Sequence, residues 1–295
     1  MSSVALEPRR RRRRGGVLRR AGGALTRHGI LIAFAVLMLL PVVLIVSTAL
    51  KSPLDARLDP FGLFTSFHPE NFVEAWSVGG FGKYFWTTVK IALPTVVLVV
   101  IVSVPAGYAL ARLRFPGRQL LHYLFIAGLM IPFFTVMIPL FYQLKTMGMI
   151  GSIWGVVLPG VAGVQGYGIP LGVFLMRSFF KDLPNELGEA ARIDGSSELA
   201  VFTRIFLPLS GPGVAVLVVF VFFQTWNTFL LPLLYLPGED NRTLATGLYA
   251  FSTGRTRETA LLAAGALIMI VPVLIVFLLF QRRVVRGLLA GAVKG

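Results

Sequence analysis

Among 295 residues there is no cysteine, and only 14% are Asp, Glu, Lys or Arg. The first absence excludes disulfides, thiolate metal sites and a cysteine nucleophile. The second falls well short of the roughly one quarter of charged residues that soluble domains carry. Histidine is scarce too: His28, His68 and His122 stand far apart and outside any HExxH pair, so no metal site is expected. A phosphate loop is also missing, because GGFGKY has neither the required spacing nor a hydroxyl residue after its lysine. No acid, base or nucleophile constellation stands out. The expectation is a chain that does no covalent chemistry, with no catalytic residue and no cofactor.

What is abundant is apolar sequence, at 56% hydrophobic residues. Crossing a bilayer takes about 20 apolar residues. Six windows meet that length, at about 30–50, 89–110, 120–142, 152–176, 210–236 and 258–280, and apart from Lys90 and Glu258 at their ends they contain no charged residue. The chain therefore reads as an all-α, multi-pass integral membrane protein. Its net charge of +15 points away from nucleic acid once its placement is considered. With a cytoplasmic N-terminus, 20 of the 28 Lys and Arg residues fall on the inner side. By the positive-inside rule both termini should then be cytoplasmic. The run Arg9–Arg14 lies in residues 1–29, which read as a basic, disordered tail that fixes orientation and touches anionic membrane lipid. A twin-arginine export signal fits less well, because a full-length apolar run follows and no A-x-A cleavage site does.

This topology sends 51–88, 143–151 and 237–257 outward, and 111–119, 177–209 and 281–295 inward. In the first outer loop, Trp76, Tyr84, Phe85 and Trp86 suit an interfacial aromatic belt, and HPENFVEAW suits a short surface helix capped by Glu70 or Asn71. Proline recurs inside the apolar windows, as at Pro41, Pro94, Pro105, Pro132, Pro159 and Pro272. Such residues kink or loosen helices, which suits a bundle that moves around a passage. In the fifth window Gln224 and Asn227 fall on one helix face around Trp226. They are candidate passage-lining residues, the amides for hydroxyl groups and the indole for a ring face. The alternative is interhelical hydrogen bonding. Gln165 and Tyr167 are weaker candidates. The last outer loop, LPGEDNRTLATGLYAFSTGRTRET, has the composition of a flexible connector or recognition loop.

The longest inner segment is patterned. After Asp182-Leu183-Pro184, Leu187, Ala190 and Ala191 share a helical face, Asp194-Gly195 forces a break, and Ser196 or Ser197 can cap a second helix with Leu199, Phe202, Ile205 and Phe206 on one face. Two short helices over 183–207 are therefore expected beneath the membrane. Either they pack only against their own bundle, or they dock a cytoplasmic partner through an apolar stripe and interleaved acids.

EAARIDGSSELAVFTRIFLP resembles the coupling-loop motif of ABC importer permeases. Glu189, Ala190, Ala191, Asp194, Gly195, Ile205, Leu207 and Pro208 sit on its positions, while Gly188 and Ser196 depart from it. QTWNTFLLPLL, GVFLMRSFFKDLP and the terminal LLAGAVKG resemble the carbohydrate branch, and within it the smaller permease of maltose-type pairs. The likeness runs from about residue 30 to the end. It implies a type I importer transmembrane domain over 30–295 in a bacterial plasma membrane. It also implies a second permease subunit, a cytoplasmic ATPase dimer and an extracytoplasmic sugar-binding protein as partners. The Glu189–Pro208 helices would then sit in a cleft of the ATPase, with Glu189 making the ionic contact and Gly195 the sharp turn. The last outer loop would meet the sugar-binding protein near Ser252–Thr256, and the C-terminal segment would reach along the ATPase dimer. The competing reading is an ion-coupled secondary transporter or channel without an ATPase, which should carry ionisable residues at membrane depth.

Overall fold

The computed structural model describes residues 14–253 and 258–292, with side chains over 27–253 and 258–283. All regular structure among them is helical. Helix α1 (Arg14–Ala49) leads through α2 (Pro53–Leu58) and α3 (Glu70–Ser77) to the long α4 (Phe81–Arg112). Next come α5 (Arg118–Met130), α6 (Phe133–Thr146), α7 (Trp154–Ala162) and α8 (Ile169–Asp182). Three short inner helices follow, α9 (Glu186–Ile193), α10 (Glu198–Val201) and α11 (Leu207–Leu209). The chain returns through α12 (Gly211–Trp226), α13 (Leu230–Tyr235) and α14 (Leu244–Thr253) to α15 (Thr259–Ala292).

Helix α4 is the axis of the bundle. It packs on α8, α12 and α7, while α15 packs on α12, α1 and α3. At the α4–α8 crossing the backbones nearly touch: a β-carbon on Gly107 would lie 2.6 Å from Met176 Cβ, and one on Gly172 would lie 2.3 Å from Ser103 Oγ. Small residues permit this approach where lipid supplies no hydrophobic drive between helices. Around it Val99, Val104, Val173, Met176 and Leu217 are fully or almost fully buried. Helix α1 is the opposite case: in its most apolar stretch no residue is buried by the rest of the chain, and burial begins only near its end, at Ser47 and Ala49.

The six expected windows do not all appear as single straight helices. Three helices are long and apolar enough to cross a bilayer alone, at Arg27–Ala49, Phe81–Arg112 and Thr259–Arg283. The number rises to at most five if each of two bent pairs is one span: Arg118–Met130 with Phe133–Thr146 at 94°, and Glu198–Leu209 with Gly211–Trp226 at 70°, of which only the second limb belongs to an expected window. The first bend falls at Pro132, whose preceding residue is pushed out of the helical region (Ile131, ψ 115°). Window 152–176 is two helices and not one, because Gly163, Gly166 and Gly168 all adopt positive φ between α7 and α8. Window 210–236 likewise breaks after Trp226. Pro41, Pro94, Pro105 and Pro272, by contrast, lie inside continuous helices.

Three expectations outside the spans also change. The tail expected to be disordered through 29 is helical from Arg14, despite Gly15, Gly16, Gly22 and Gly23; Arg9–Arg13 lie outside the described residues. The surface helix α3 forms, but neither Glu70 nor Asn71 caps it. Asn71 is buried, and its amide donates to the Ala49 and Lys51 carbonyls, which ties α3 to the end of α1. Finally, much of the last outer loop is the helix α14. Leu244 N–H donates to Thr88 Oγ1 on α4 at 2.9 Å, and Thr243 and Thr246 form the turn at its start.

Candidate functional site

The C-terminal end of α4 is where the short helices are anchored. Its last carbonyls lack helical partners and are met by two arginines. Arg118 donates to the Leu110, Ala111 and Leu113 oxygens at 2.9–3.2 Å, and Arg177 Nε donates to Leu110 O at 3.3 Å. Cationic guanidinium also suits the negative end of the helix dipole. Arg112 points the other way. It donates to the Phe180 and Leu183 carbonyls and to Asn185 Oδ1, and its guanidinium lies 4.9 Å from the Phe206 ring centre. It thus joins α4 to the end of α8, the start of α9 and the residue before α11. In sequence Arg112 and Arg118 are two of the basic residues that set orientation, and their place at a helix C-terminus is the signal for a further role.

Beneath Arg112 is a knot of aromatic rings. Tyr108 has its ring centre 5.5 Å from Phe180, 4.8 Å from Phe202 and 5.4 Å from Phe206. Its hydroxyl reaches Glu198 Oε2 at 3.4 Å, and Glu198 in turn accepts two bonds from Arg192, at 2.5 and 3.2 Å. This fork holds α9 against α10. The Arg192 guanidinium, hydrogen-bonded to it, keeps the Glu198 carboxyl below the ordinary carboxylate range, and Glu198 raises Arg192 in return. Gly188 is buried against this knot, where a β-carbon would sit 3.1 Å from the Phe206 ring.

Between α9 and α10 the chain turns at Asp194-Gly195. Ser196 N–H donates to Ala191 O at 2.9 Å and Gly195 N–H to Arg192 O at 3.1 Å, with Gly195 at φ +82°. These two bonds are the Schellman motif, which leaves the C′ residue in the left-handed region. Ser197 then caps α10, accepting from Ala200 N–H at 3.3 Å.

The faces of the two helices differ from the expected stripes. Glu189, Ala190, Asp194, Gly195, Leu207 and Pro208 are exposed, whereas Ala191 and Ile205 are half-buried against the core. Leu199 belongs to the exposed set at 70%, with Val201 and Phe206 turned inward instead. The reason is a π-helical turn over Phe202–Phe206, where Leu207 N–H donates to Phe202 O. The longer ring shifts register and breaks the 3.6-residue pattern that would have aligned Leu199 with Phe206. Ile193, 86% exposed, adds a second bare apolar side chain beside the turn. A cleft of 580 Å³ opens next to it, lined by Arg112, Arg114, Asn185, Glu189, Arg192 and Glu198.

The passage candidates separate. Trp226 is 2% exposed, stacks on Phe222, meets Phe85 edge-on and donates its indole N–H to Met269 O at 3.0 Å. It is a core residue joining α12 to α15, and its ring is not presented for stacking on a ligand. Asn227 is exposed at the end of α12, where its amide donates to Phe223 O at 2.8 Å. Gln224 is half-buried on α12. The weaker candidates prove to be connected: Gln165 Oε1 accepts from Thr228 Oγ1 at 2.7 Å and from Tyr167 Oη at 3.1 Å. This links the α7–α8 break to the α12–α13 break. In the last outer loop, Ser252 lies in α14, and Gly254–Thr256 lie outside the described residues. The C-terminal segment is helical to Ala292, and Lys294 lies outside the described residues.

The model of the family described as "binding-protein-dependent transport system inner membrane component" matches residues 103–289. The chain is 33% identical over 269 residues to the diacetylchitobiose uptake system permease protein NgcG of Streptomyces coelicolor, covering 90% of this chain and 88% of that one. It is 31% identical over 262 residues to the trehalose transport system permease protein SugB of Mycobacterium tuberculosis, covering 87% and 93%. In fold it resembles a chain from the crystal structure of a bacterial ABC transporter involved in the import of the acidic polysaccharide alginate. There the TM-score is 0.75 at 20% identity, over 94% of this chain and 99% of the other.

Proposed function

The chain belongs to the family of binding-protein-dependent transport system inner membrane components and is a permease subunit of a bacterial ABC importer, and from that premise we propose that it carries carbohydrate. Relatives named as permease proteins for diacetylchitobiose uptake, alpha-glucoside transport and trehalose transport support this substrate class. An ion-coupled carrier without an ATPase is not favoured. We further infer six membrane crossings with both ends cytoplasmic, each bent or broken window counting as one crossing. The remaining parts of the machine would be a second permease, an ATPase dimer and an extracytoplasmic binding protein that meets the α14 end of the last outer loop.

The observation that carries the proposal is the α9–α10 pair. It is tied to α4 through Arg112, Tyr108 and Glu198, yet it leaves Ile193, Leu199 and Glu189 exposed. A part fastened on one face and apolar on the other transmits displacement from whatever grips it. Closure of an ATPase dimer on α9–α10 would pull on α4 and α8 together, as a rigid-body rocking of the bundle. Glu189 is assigned the ionic contact with that subunit, and Ala190, Asp194, Gly195, Leu207 and Pro208 the docked surface. Ala191 and Ile205 support it from the core side. In the passage, Gln224 and Asn227 are assigned to sugar hydroxyls, with the Gln165–Thr228 link holding the two helix breaks around them.

The test is reconstitution of the four-part assembly in proteoliposomes. Glu189→Lys and Gly195→Asp are expected to insert and assemble but to uncouple ATP hydrolysis from sugar uptake. Normal uptake by both variants would refute the docking assignment, and uptake by wild type without ATP would refute the importer mechanism for this chain.

A further inference from the structure

The first outer loop presents bulky apolar side chains to its surroundings and yet is held firmly. Phe61 is 78% exposed and Phe67 73%, with Leu63 and Phe64 more than half exposed between them. A free loop with these residues would fold them inward. This one is pinned at three points. Lys51, fully buried, donates its ammonium to Asp59 O at 2.6 Å; Gly62 N–H donates to Asp59 Oδ1 at 2.8 Å; and Ser52 N–H donates to Ser66 Oγ at 2.9 Å.

The most informative contact is at Ser47. Its hydroxyl donates to Gly62 O at 3.3 Å and accepts from Phe64 N–H at 2.7 Å. Ser47 lies within the apolar window Arg27–Ala49 of α1, two residues from its end. At a rise of about 1.5 Å per residue, that is only about 3 Å inside the end of the window. The loop therefore descends beside α1, and the Phe61–Phe64 side chains stand at the depth where the span leaves the hydrocarbon. Phe64 is also the one non-glycine residue with positive φ among the described residues, at +52°. A bulky residue in that region is strained, and the Ser47 bond is what holds it there, with the ring turned out.

We propose that Asp59–Phe67 is a lipid anchor, with Phe61, Leu63, Phe64 and Phe67 seated in the headgroup–acyl boundary of the membrane. Aromatic and aliphatic side chains on a rigid support at this depth match the 5–10 Å burial of interfacial segments. The anchor fastens the α1–α2–α3 corner, and α2 and α3 pack on α15, so the corner stays in the interface while the α4–α8 core moves. The depth argument needs only that the chain spans a membrane; which leaflet is involved rests on the orientation proposed above.

The absence of cysteine makes a clean test available. Single cysteines at Phe61, Leu63 and Phe67 would carry a nitroxide label in the assembled transporter in lipid nanodiscs, with Asp240→Cys as an exposed reference. Collision with oxygen, which partitions into lipid, is compared with collision with a polar nickel chelate. At the three loop positions oxygen should exceed the chelate severalfold, with the order reversed at 240. Adding Ser47→Ala should loosen the labels and lower their oxygen contact while ATP-driven uptake is kept. Chelate contact equal to the reference would overturn the anchor in favour of a loop in water. Exclusion of both reagents would overturn it in favour of a protein partner. Lipid contact with quenching from the cytoplasmic leaflet would leave the anchor standing and overturn the orientation.

Discussion

Replacing Gly195 separates backbone strain from docking at the turn between the short helices. At φ +82° an L-residue is disfavoured, yet a β-carbon built there meets no atom within 4 Å. Gly195→Ala therefore introduces conformational strain with no collision inside the chain, about 1–2 kcal/mol for a residue forced into the left-handed region. That is a shift of about 5–30-fold against the native turn. Asparagine tolerates the same region better through its local hydrogen bonds, so Gly195→Asn should recover much of the loss. The assay measures ATP hydrolysis and sugar uptake side by side in proteoliposomes, with subunit content checked by gel. The expected order of uptake per ATP is wild type, then Asn, then Ala, at equal assembly. If Asn is as poor as Ala, strain is not the cause and a side chain obstructing the docked subunit is. If Ala imports normally, the turn takes no part in coupling.

Other expected outcomes follow from the same contacts. Phe206→Ala empties a position that is 1% exposed beneath Arg112 and against Gly188; a buried Phe→Ala change costs about 3–5 kcal/mol, so α9–α11 should become protease-sensitive, and unchanged protection would refute the knot. Glu198→Gln removes the α9–α10 fork. Because Arg192 holds the folded carboxyl below its ordinary 4.5, the stabilisation is present at neutral pH and is lost as pH falls through the folded value. A pair so exposed is worth only about 0.2–1 kcal/mol, and the melting difference between wild type and variant should vanish in acid; a difference that grows in acid would reverse the sign. Trp226→Phe should cost about 1 kcal/mol through the lost bond to Met269 O and leave substrate preference unchanged. Asn227→Leu should leave melting unchanged and alter uptake rate or specificity, and the opposite pattern for the two variants would exchange their roles.

Much of the class was legible before any coordinates. Apolar windows, basic residues on one side and the absence of cysteine and of a phosphate loop describe a multi-pass membrane chain that does no hydrolysis itself. Asp194-Gly195 announced its turn because a glycine after a helical stripe is the local chemistry of a Schellman cap. These are properties of neighbouring residues, and the chain carries them without reference to distant parts.

What only the tertiary structure decided depends on contacts between residues far apart in sequence. Trp226 looked like a ligand platform beside two amides until Phe85, Phe222 and Met269 were seen to enclose it. Arg112 looked like a topology charge until the α8 carbonyls and the Phe206 ring gathered around it. Leu199 left the predicted stripe because a π-turn ahead of Pro208 altered the helical period. Window 120–142 broke at Pro132 and window 152–176 at its glycines, whereas 210–236 broke after Trp226 with neither, and Pro41, Pro94, Pro105 and Pro272 left their helices continuous. Periodicity records which face of a helix is apolar; which neighbour covers that face is a long-range property, because only packing brings the neighbour there.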